Sequence, residues 1–318
     1  MLGVCLGSVR VPPDAIPRVI NARIIGVAHG DSGLYDYIVW QLRIPRVLLA
    51  GVVGASLALA GAALQGLVRN PLADPYVIGV SSGASLGAVL VMVAAPVGVL
   101  AVSASATAFV FAVATVAIVY LAARRFGEFS DSRLVLAGVA VGYVAMAAVS
   151  FLQLQAQPGE ITGILFWMMG SLAAARWSSL WIPLAVLVVC AAWLRTQATA
   201  LNAAALGDDD AAAVGVDLRR FRTGLLVVVS LLTAVSVSVA GGVGFVGLIV
   251  PHAARLLVGA DHRRLLPFSG ALGAVFLMAV DLVARTVGSP NEYPVTIFTA
   301  LVGGPFFLWL LRRRAVDA

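Results

Sequence analysis

The strongest constraint on this chain is a series of apolar runs, each long enough to cross a lipid bilayer as a helix. About 20 helical residues cover the hydrocarbon core of a membrane, and a shorter, ninth candidate is present at 244–259. The longer runs lie at residues 46–68, 76–95, 98–122, 133–155, 177–195, 222–243, 265–287 and 294–311. They are too long and too uniformly apolar for the strands of a barrel. The sequence therefore predicts an all-α polytopic membrane protein with about nine transmembrane helices, forming one membrane-spanning domain over 1–318.

Overall composition agrees with this prediction. Of the 318 residues 61% are hydrophobic and 11% are charged, and the mean hydropathy is +1.01, far from the average soluble domain. One further apolar segment, 161–171, has half the length that a crossing needs. We expect it to lie at the membrane surface or to enter it part way.

The basic residues exclude several enzyme classes. All 21 are arginine, and the sequence contains no lysine. A phosphate-binding P-loop and a pyridoxal Schiff base both require lysine, so any nucleotide that drives this protein must bind to a partner. Cys5 and Cys190 are too few and too far apart for a disulfide framework or a metal site. We therefore predict no catalytic residue, no metal site and no cofactor in this chain, and no enzymatic activity.

A polar segment at 205–222 interrupts the apolar pattern. It holds four acids and three arginines within eighteen residues, which would be costly in hydrocarbon. Its small residues favour one or two short helices joined at Gly207 and Gly215. The segment is either a solvated loop or a surface that another protein binds.

Arginine placement indicates the orientation. If 205–222 is cytoplasmic, fourteen of the 21 arginines fall in inside loops and seven outside, as the positive-inside rule requires. Nucleic acid is not an expected partner, because the basic residues do not cluster on a soluble domain.

Glycine spacing predicts close helix packing. Gly79, Gly83 and Gly87 stand four residues apart, as do Gly138 and Gly142, and such spacing lets helix backbones approach. The Ala60–Leu90 and Ala240–Leu277 regions show weak internal sequence similarity. Because five crossings, an odd number, separate them, the two regions are predicted to form inverted repeats.

Six motifs together identify a family resemblance. They are Arg43–Arg46 (RIPR), Gly61–Gly66 (GAALQG), Arg69–Pro75 (RNPLADP), Gly79–Ala84 (GVSSGA), Gly244–His252 (GFVGLIVPH) and Gly303–Phe307 (GGPFF). With these motifs the chain resembles, over nearly its whole length, the FecCD-type permeases of ABC importers for iron–siderophore complexes, haem and cobalamin.

The resemblance implies an assembly. Such permeases have ten helices with inverted repeats and pair with a second permease subunit, here expected as a homodimer, in the inner (cytoplasmic) membrane of the cell. Two separate ATPase subunits carry ATP and Mg, and an extracytoplasmic binding protein delivers the cargo, for which a ferric siderophore is favoured over haem or cobalamin. Leu2–Pro12 resembles the end of the family's first helix, so we expect that helix to be missing or truncated and 1–45 to be an external segment carrying its stub.

The resemblance also assigns the polar segment. Residues 200–222 match the coupling segment that sits in a cleft of the ATPase. The expected coupling residues are Leu206, Gly207, Asp208, Asp209, Asp210, Ala213, Val214 and Gly215. The three consecutive acids would suit a helix N-terminus, the glycines would permit bends, and Ala211–Val214 would form a small apolar contact.

Two further groups of residues are candidates by the same resemblance. Arg43, Arg46 and Arg285 lie at the expected outer mouth, where family arginines pair with acids of the binding protein; the alternative is arginines that only anchor helix ends. The pathway or cytoplasmic gate candidates are Gln65, Asn70, Ser81 and Ser82, and the alternative for these is that they satisfy helix backbones.

Asp281 raises the question of gradient coupling. A carboxylate inside a span could relay protons, and a proton- or ion-coupled secondary transporter is the alternative function. Arg285 stands one helical turn away, so we expect the two side chains to form an ion pair instead.

Overall fold

The computed structural model describes residues 2–5, 11–12, 14–25, 33–94, 103–125, 128–129 and 131–316. Its α-helices are α1 (Leu2–Cys5), α2 (Ala15–Ile25), α3 (Gly33–Asp36), α4 (Ile44–Leu67), α5 (Val80–Ala94), α6 (Ala104–Ala123), α7 (Asp131–Gln155), α8 (Pro158–Met168), α9 (Trp177–Thr196), α10 (Ala198–Leu206), α11 (Asp208–Ala213), α12 (Leu218–Ala240), α13 (Val246–Val258), α14 (His262–Thr286) and α15 (Val295–Val316). A π-helix spans Tyr37–Arg43 and a 3₁₀ helix Pro75–Ile78. Two-residue strands, β1 (Arg124–Arg125) and β2 (Glu128–Phe129), pair antiparallel.

The nine predicted runs each correspond to a helix. Within the described residues, six helices are long and apolar enough to cross a membrane, and three shorter apolar ones are α5, α13 and the Val295–Leu310 part of α15. The half-length segment predicted at 161–171 falls largely in the 11-residue helix α8. The all-α prediction is therefore confirmed.

The first crossing starts earlier than predicted. The sequence places its start at residue 46, whereas helical structure runs without a break from Gly33 through the π-helix into α4. Pro45 has no N–H to donate to the carbonyl of Gln41. Just before it, Ile44 N–H donates to Val39 O, the five-residue step of a π-helix. The helix thus continues through the proline by changing its hydrogen-bond spacing.

Helix α4 is the centre of the fold. Twenty of its 24 residues are buried, which suits a helix that is apolar on every face, and it packs against α9, α12, α13 and α14. Glycines set the closest crossings. A Cβ added to Gly54 would lie 2.2 Å from Gly273 O of α14, and one added to Gly61 would lie 1.8 Å from Gly247 O of α13.

The predicted glycine packing is confirmed around α5. A Cβ on Gly83 would lie 2.2 Å from Thr115 Oγ1 of α6, and one on Gly87 would lie 2.4 Å from Thr107 O. Gly138 of α7 comes as close to the 3₁₀ helix, 2.3 Å from Val77 O. Small residues therefore bring α5, α6 and α7 into backbone contact.

The α4–α13 crossing can be tested by adding one methyl group. We expect Gly61→Ala to lower the melting temperature of the purified protein strongly, because its Cβ would overlap a backbone oxygen that cannot rotate away. Overpacking of this kind lowers the free energy of unfolding by about 1–3 kcal/mol or more. The matched control is Gly163→Ala in α8, where nothing lies within 4 Å of the added Cβ. Equal melting temperatures for the two variants would contradict the close crossing.

Candidate functional site

The polar segment at 205–222 contains the end of α10, all of α11 and the start of α12. Its three consecutive acids occupy the first turn of α11, where negative charge offsets the helix dipole, as the sequence predicts. Gly215 has φ +83°, a left-handed conformation that favours glycine. Gly207 has φ 162° and ψ 164°, an extended conformation open to any residue, so only Gly215 requires its glycine for this reason.

Helices α10 and α11 expose an apolar surface. Leu206 is 79% exposed and Val214 is 68% exposed, and Ala212 and Ala213 beside them are also exposed. Ala211 differs from expectation, because it is fully buried in the main core cluster. Since the other large exposed apolar side chains of this protein mostly lie on membrane helices, this small apolar patch in a polar segment suits a protein partner.

Asp208 fixes α11 to two helices. Its carboxylate accepts two hydrogen bonds from the Arg222 guanidinium of α12, at 3.1 and 3.0 Å. Arg69, just past the end of α4, lies 3.7 Å from the same carboxylate. The first acid of the segment therefore joins α11 to α12 and to the end of α4.

A second set of contacts fixes α10 to α14. Asn202 donates to Asp261 Oδ1 at 2.6 Å and accepts from His262 N–H at 2.9 Å. Asp261 caps α14 by accepting from Arg263 N–H at 3.0 Å. This backbone hydrogen bond, and after it the bond from Asn202, hold the pKa of the Asp261 carboxyl below its usual value. The coupling residues thus rest on the ends of α4, α12 and α14.

Gln65 completes a helix that a proline interrupts. Pro251 in α13 cannot donate to the carbonyl of Gly247, four residues before it. The Gln65 amide nitrogen lies 3.3 Å from that oxygen and 3.2 Å from Leu248 O, and donates to both. Gln65 is buried, with 2% of its surface exposed. These contacts match the alternative in which the residue satisfies a helix backbone.

The other pathway candidates lie in the turn after α4 and in the first turn of α5. Asn70 is exposed and its side chain accepts from Leu72 N–H at 2.9 Å, which shapes the turn after α4. Ser82 donates to Gly79 O at 3.0 Å, and Ser81 lies beside Gly242, 3.5 Å from where its Cβ would be. Each of the four candidates has its own contacts, and their gating role stays a prediction.

The predicted docking arginines form a buried network at the other end of α4. Arg46 donates to Asp281 of α14 at 2.9 and 3.1 Å and to both carboxylate oxygens of Glu292 at 2.9 Å. Arg285 lies 3.6 Å from Asp281, so the predicted ion pair is confirmed. Arg43 donates to the carbonyls of Val4 and Cys5, and Arg285 to that of Gly3.

Burial gives this network a structural role. Arg43 and Arg285 are only 6% and 4% exposed, and the Arg46 side chain is 12% exposed. Charges in a span are costly unless they pair, and here carboxylates and the carbonyls at the end of α1 supply the partners. Docking of a binding protein by these arginines stays a prediction.

Two participants were missed from the sequence. Glu292 lies in the loop before α15 and Asn202 lies in α10, and neither belongs to a recognisable charge pattern. Polar residues that flank a candidate segment were the only available signal.

Within the described part of the chain, no group of three His, Cys, Asp or Glu side chains could hold a metal ion.

The network at Arg46 can be tested by thermal melting. We expect Arg46→Met to cost about 3–5 kcal/mol, because it leaves the Asp281 carboxylate, 2% exposed, with a single distant partner. Arg220→Met removes an exposed pair with Asp217 and should cost less than about 1 kcal/mol. Adding Asp281→Leu to Arg46→Met should restore part of the loss; a native-like melting temperature for Arg46→Met would contradict the network.

The pKa of Asp74, in the loop after α4, gives another testable prediction. Burial raises the pKa of Asp74 from 3.8 to about 6, despite a hydrogen bond from Tyr76 N–H that acts the other way. Protonation therefore favours the folded state, and the stability it contributes is lost as pH rises from about 4 to about 6. We expect Asp74→Asn to have the melting temperature of the native chain near pH 4 and a higher melting temperature than the native chain near pH 7.

The matched control has the opposite sign. Asp261 has a lowered pKa, so its ionised form stabilises the fold and that stability is lost as pH falls. Asp261→Asn should therefore lower the melting temperature more at pH 7 than in acid. Parallel pH profiles for the two variants would show that the environment of Asp74 is not as described.

Comparison with known proteins agrees with the geometry. The model of the FecCD transport family matches residues 1–313. The cobalamin import system permease protein BtuC of Halobacterium salinarum is 47% identical over 281 residues, covering 88% of this chain and 75% of that one. The hemin transport system permease protein HmuU of Yersinia pestis is 41% identical over 280 residues, covering 87% and 84%.

More distant relatives extend over the whole chain. The Fe(3+)-citrate import system permease protein YfmE of Bacillus subtilis is 35% identical over 323 residues, covering 99% of this chain and 91% of that one. A solved chain assigned to a metal-chelate type ABC transporter, in an inward-facing conformation, superposes with a TM-score of 0.81 at 33% identity, covering 95% of this chain and all of the other. This multi-pass membrane protein belongs to the FecCD transport family.

Proposed function

We propose that the chain is the transmembrane permease subunit of an ATP-driven importer. The observation that carries this proposal is the exposed apolar surface of α10 and α11, held by Asp208 and Asn202 against the ends of three membrane helices. When a partner subunit bound to this surface changes conformation, these contacts transmit the movement to α4, α12 and α14. A solvated loop would need neither the exposed Leu206 and Val214 nor these contacts.

The same geometry supports three proposed partners. ATP and Mg bind to a separate ATPase subunit, whose cleft receives Leu206 and Val214. A second copy of the permease packs on apolar faces that one chain leaves exposed, among them Tyr143 and Val144 of α7 and Leu301 of α15. The channel forms between the two copies in the inner membrane, and a binding protein outside delivers the cargo.

The proposed cargo is a ferric siderophore, with haem and cobalamin as the other candidates. Relatives named for the import of cobalamin, hemin and Fe(3+)-citrate support this class. Gln65, Asn70, Ser81 and Ser82 remain the candidates for the inner gate, and the end of the molecule that carries Arg43, Arg46 and Arg285 remains the candidate docking face.

Gradient coupling is the alternative function. It needs a carboxylate in the pathway that can take up and release a proton. Asp281, the carboxylate within α14, is instead held by Arg46 and Arg285 and is 1% exposed. This arrangement favours ATP-driven transport.

A substitution on the exposed surface tests the proposal. We expect Val214→Asp to lower cargo uptake into vesicles, and the ATP hydrolysis that accompanies it, by about tenfold or more, because a carboxylate buried in an apolar contact costs at least about 1.4 kcal/mol. The melting temperature should not change, since Val214 is exposed. Val214→Ile, which keeps the apolar contact, is the matched control.

The same vesicles separate the two functions. Uptake should survive a protonophore and stop when ATP hydrolysis by the partner is blocked. Uptake by Val214→Asp at the native rate, or native uptake that stops with the proton gradient, would overturn the proposal.

A further inference from the structure

A cavity of about 240 Å³ lies between α6 and α12, next to the start of α7. Its walls are almost wholly apolar, and they include Val113 and Ala117 of α6 and Val227 and Leu231 of α12. Val113 is 38% exposed and Val227 is 53% exposed, so the cavity opens to the outside of the subunit. An apolar cavity of this kind excludes water, and in a membrane its neighbour is lipid.

The cavity lies in the half of the membrane next to the polar segment. It faces the first half of α12, directly after that segment, and the last half of α6. With the polar segment on the cytoplasmic side, the cavity opens into the cytoplasmic leaflet, whose surface is rich in anionic lipid.

The wall of the cavity carries two hydroxyl groups, and an arginine precedes them by one helical turn on α12. Tyr120 and Thr223 in its wall join their hydroxyl groups at 3.0 Å. Arg219, Thr223, Val227 and Leu231 are spaced four apart on α12, and the last three line the cavity. Arg219 is exposed, and its position one turn before Thr223 puts it on the side of the cavity toward the polar segment.

The other two arginines at the start of α12 are paired with acids. Arg220 lies 3.2 Å from Asp217. Arg222 is engaged with Asp208, which leaves Arg219 as the cation on the cavity face of α12. A phospholipid supplies both an acyl chain for the apolar cavity and an anionic phosphate for Arg219.

We propose that the cavity binds an anionic phospholipid of the cytoplasmic leaflet. One acyl chain lies along Val113, Ala117, Val227 and Leu231, and the phosphate group lies at Arg219 above the Tyr120–Thr223 pair. Because Arg222, in the same turn as Arg219, holds Asp208 of the coupling segment, the bound lipid contacts the helix end that receives the movement of α11. The binding itself does not depend on the proposed transport function.

The proposal can be tested by native mass spectrometry of the purified full chain, which measures how tightly each added lipid is retained. The two lipids compared are phosphatidylglycerol and phosphatidylcholine with identical acyl chains. We expect one phosphatidylglycerol to be retained more tightly than phosphatidylcholine. Arg219→Gln should weaken its retention about fivefold, the effect of one arginine near an anionic surface. Arg220→Gln is the matched control, because it removes the same charge one position around the helix and should leave retention unchanged.

A second pair of variants tests the acyl chain. Ala117→Leu fills the cavity and should release the lipid, whereas Ala114→Leu, on the exposed face of α6 outside the cavity, should not. Should Ala117→Leu fail to fold, the arginine pair decides alone. Equal retention of the two lipids, or equal effects of the two arginine variants, would overturn the proposal. It would also be overturned if Ala117→Leu separated two permease copies while the lipid stayed bound, because the cavity would then hold the second subunit.

Discussion

The structure depends on one constraint: in a lipid environment, every polar group of the spanning segments needs a partner within the protein. Helix α4 supplies such partners to two of its neighbours. Its Gln65 amide donates to the carbonyl that Pro251 leaves without a donor in α13, and its Arg46 pairs with the carboxylate inside α14. Glycines along α4 bring the backbones close enough for these contacts.

The same helix separates the two polar ends of the molecule. Its 24 residues span about 36 Å at 1.5 Å per residue, enough to cross the hydrocarbon core. The Arg46 network lies at its first turn, and Arg69 meets Asp208 just past its last. A movement of the polar segment therefore acts on a helix that is packed along its whole length and anchored at its far end.

Much of the fold could be predicted because it depends on local pattern. Apolar length predicted the crossings, four-residue glycine spacing predicted close helix packing at α5 and α7, and acids after Gly207 predicted the start of α11. The π-helix at Tyr37–Arg43 could not be predicted, because proline is read as a helix start. Side-chain partners were equally hidden: Arg46 and Glu292 are 246 residues apart, and the burial of Ala211 depends on which face of a short helix meets the core. The predicted inverted repeats stay a prediction.

The most direct test of the account is the side of the membrane that each polar end faces. Single cysteines at Val214 and at the exposed Asn291, in a chain with Cys5 and Cys190 replaced, can be labelled with a membrane-impermeant maleimide in intact cells and in inverted vesicles. Three apolar helices, α12 to α14, separate the two sites, and the sequence predicts that each crosses the membrane. The account predicts labelling of Val214→Cys only in inverted vesicles and of Asn291→Cys only in intact cells; labelling of both from the same side would contradict it.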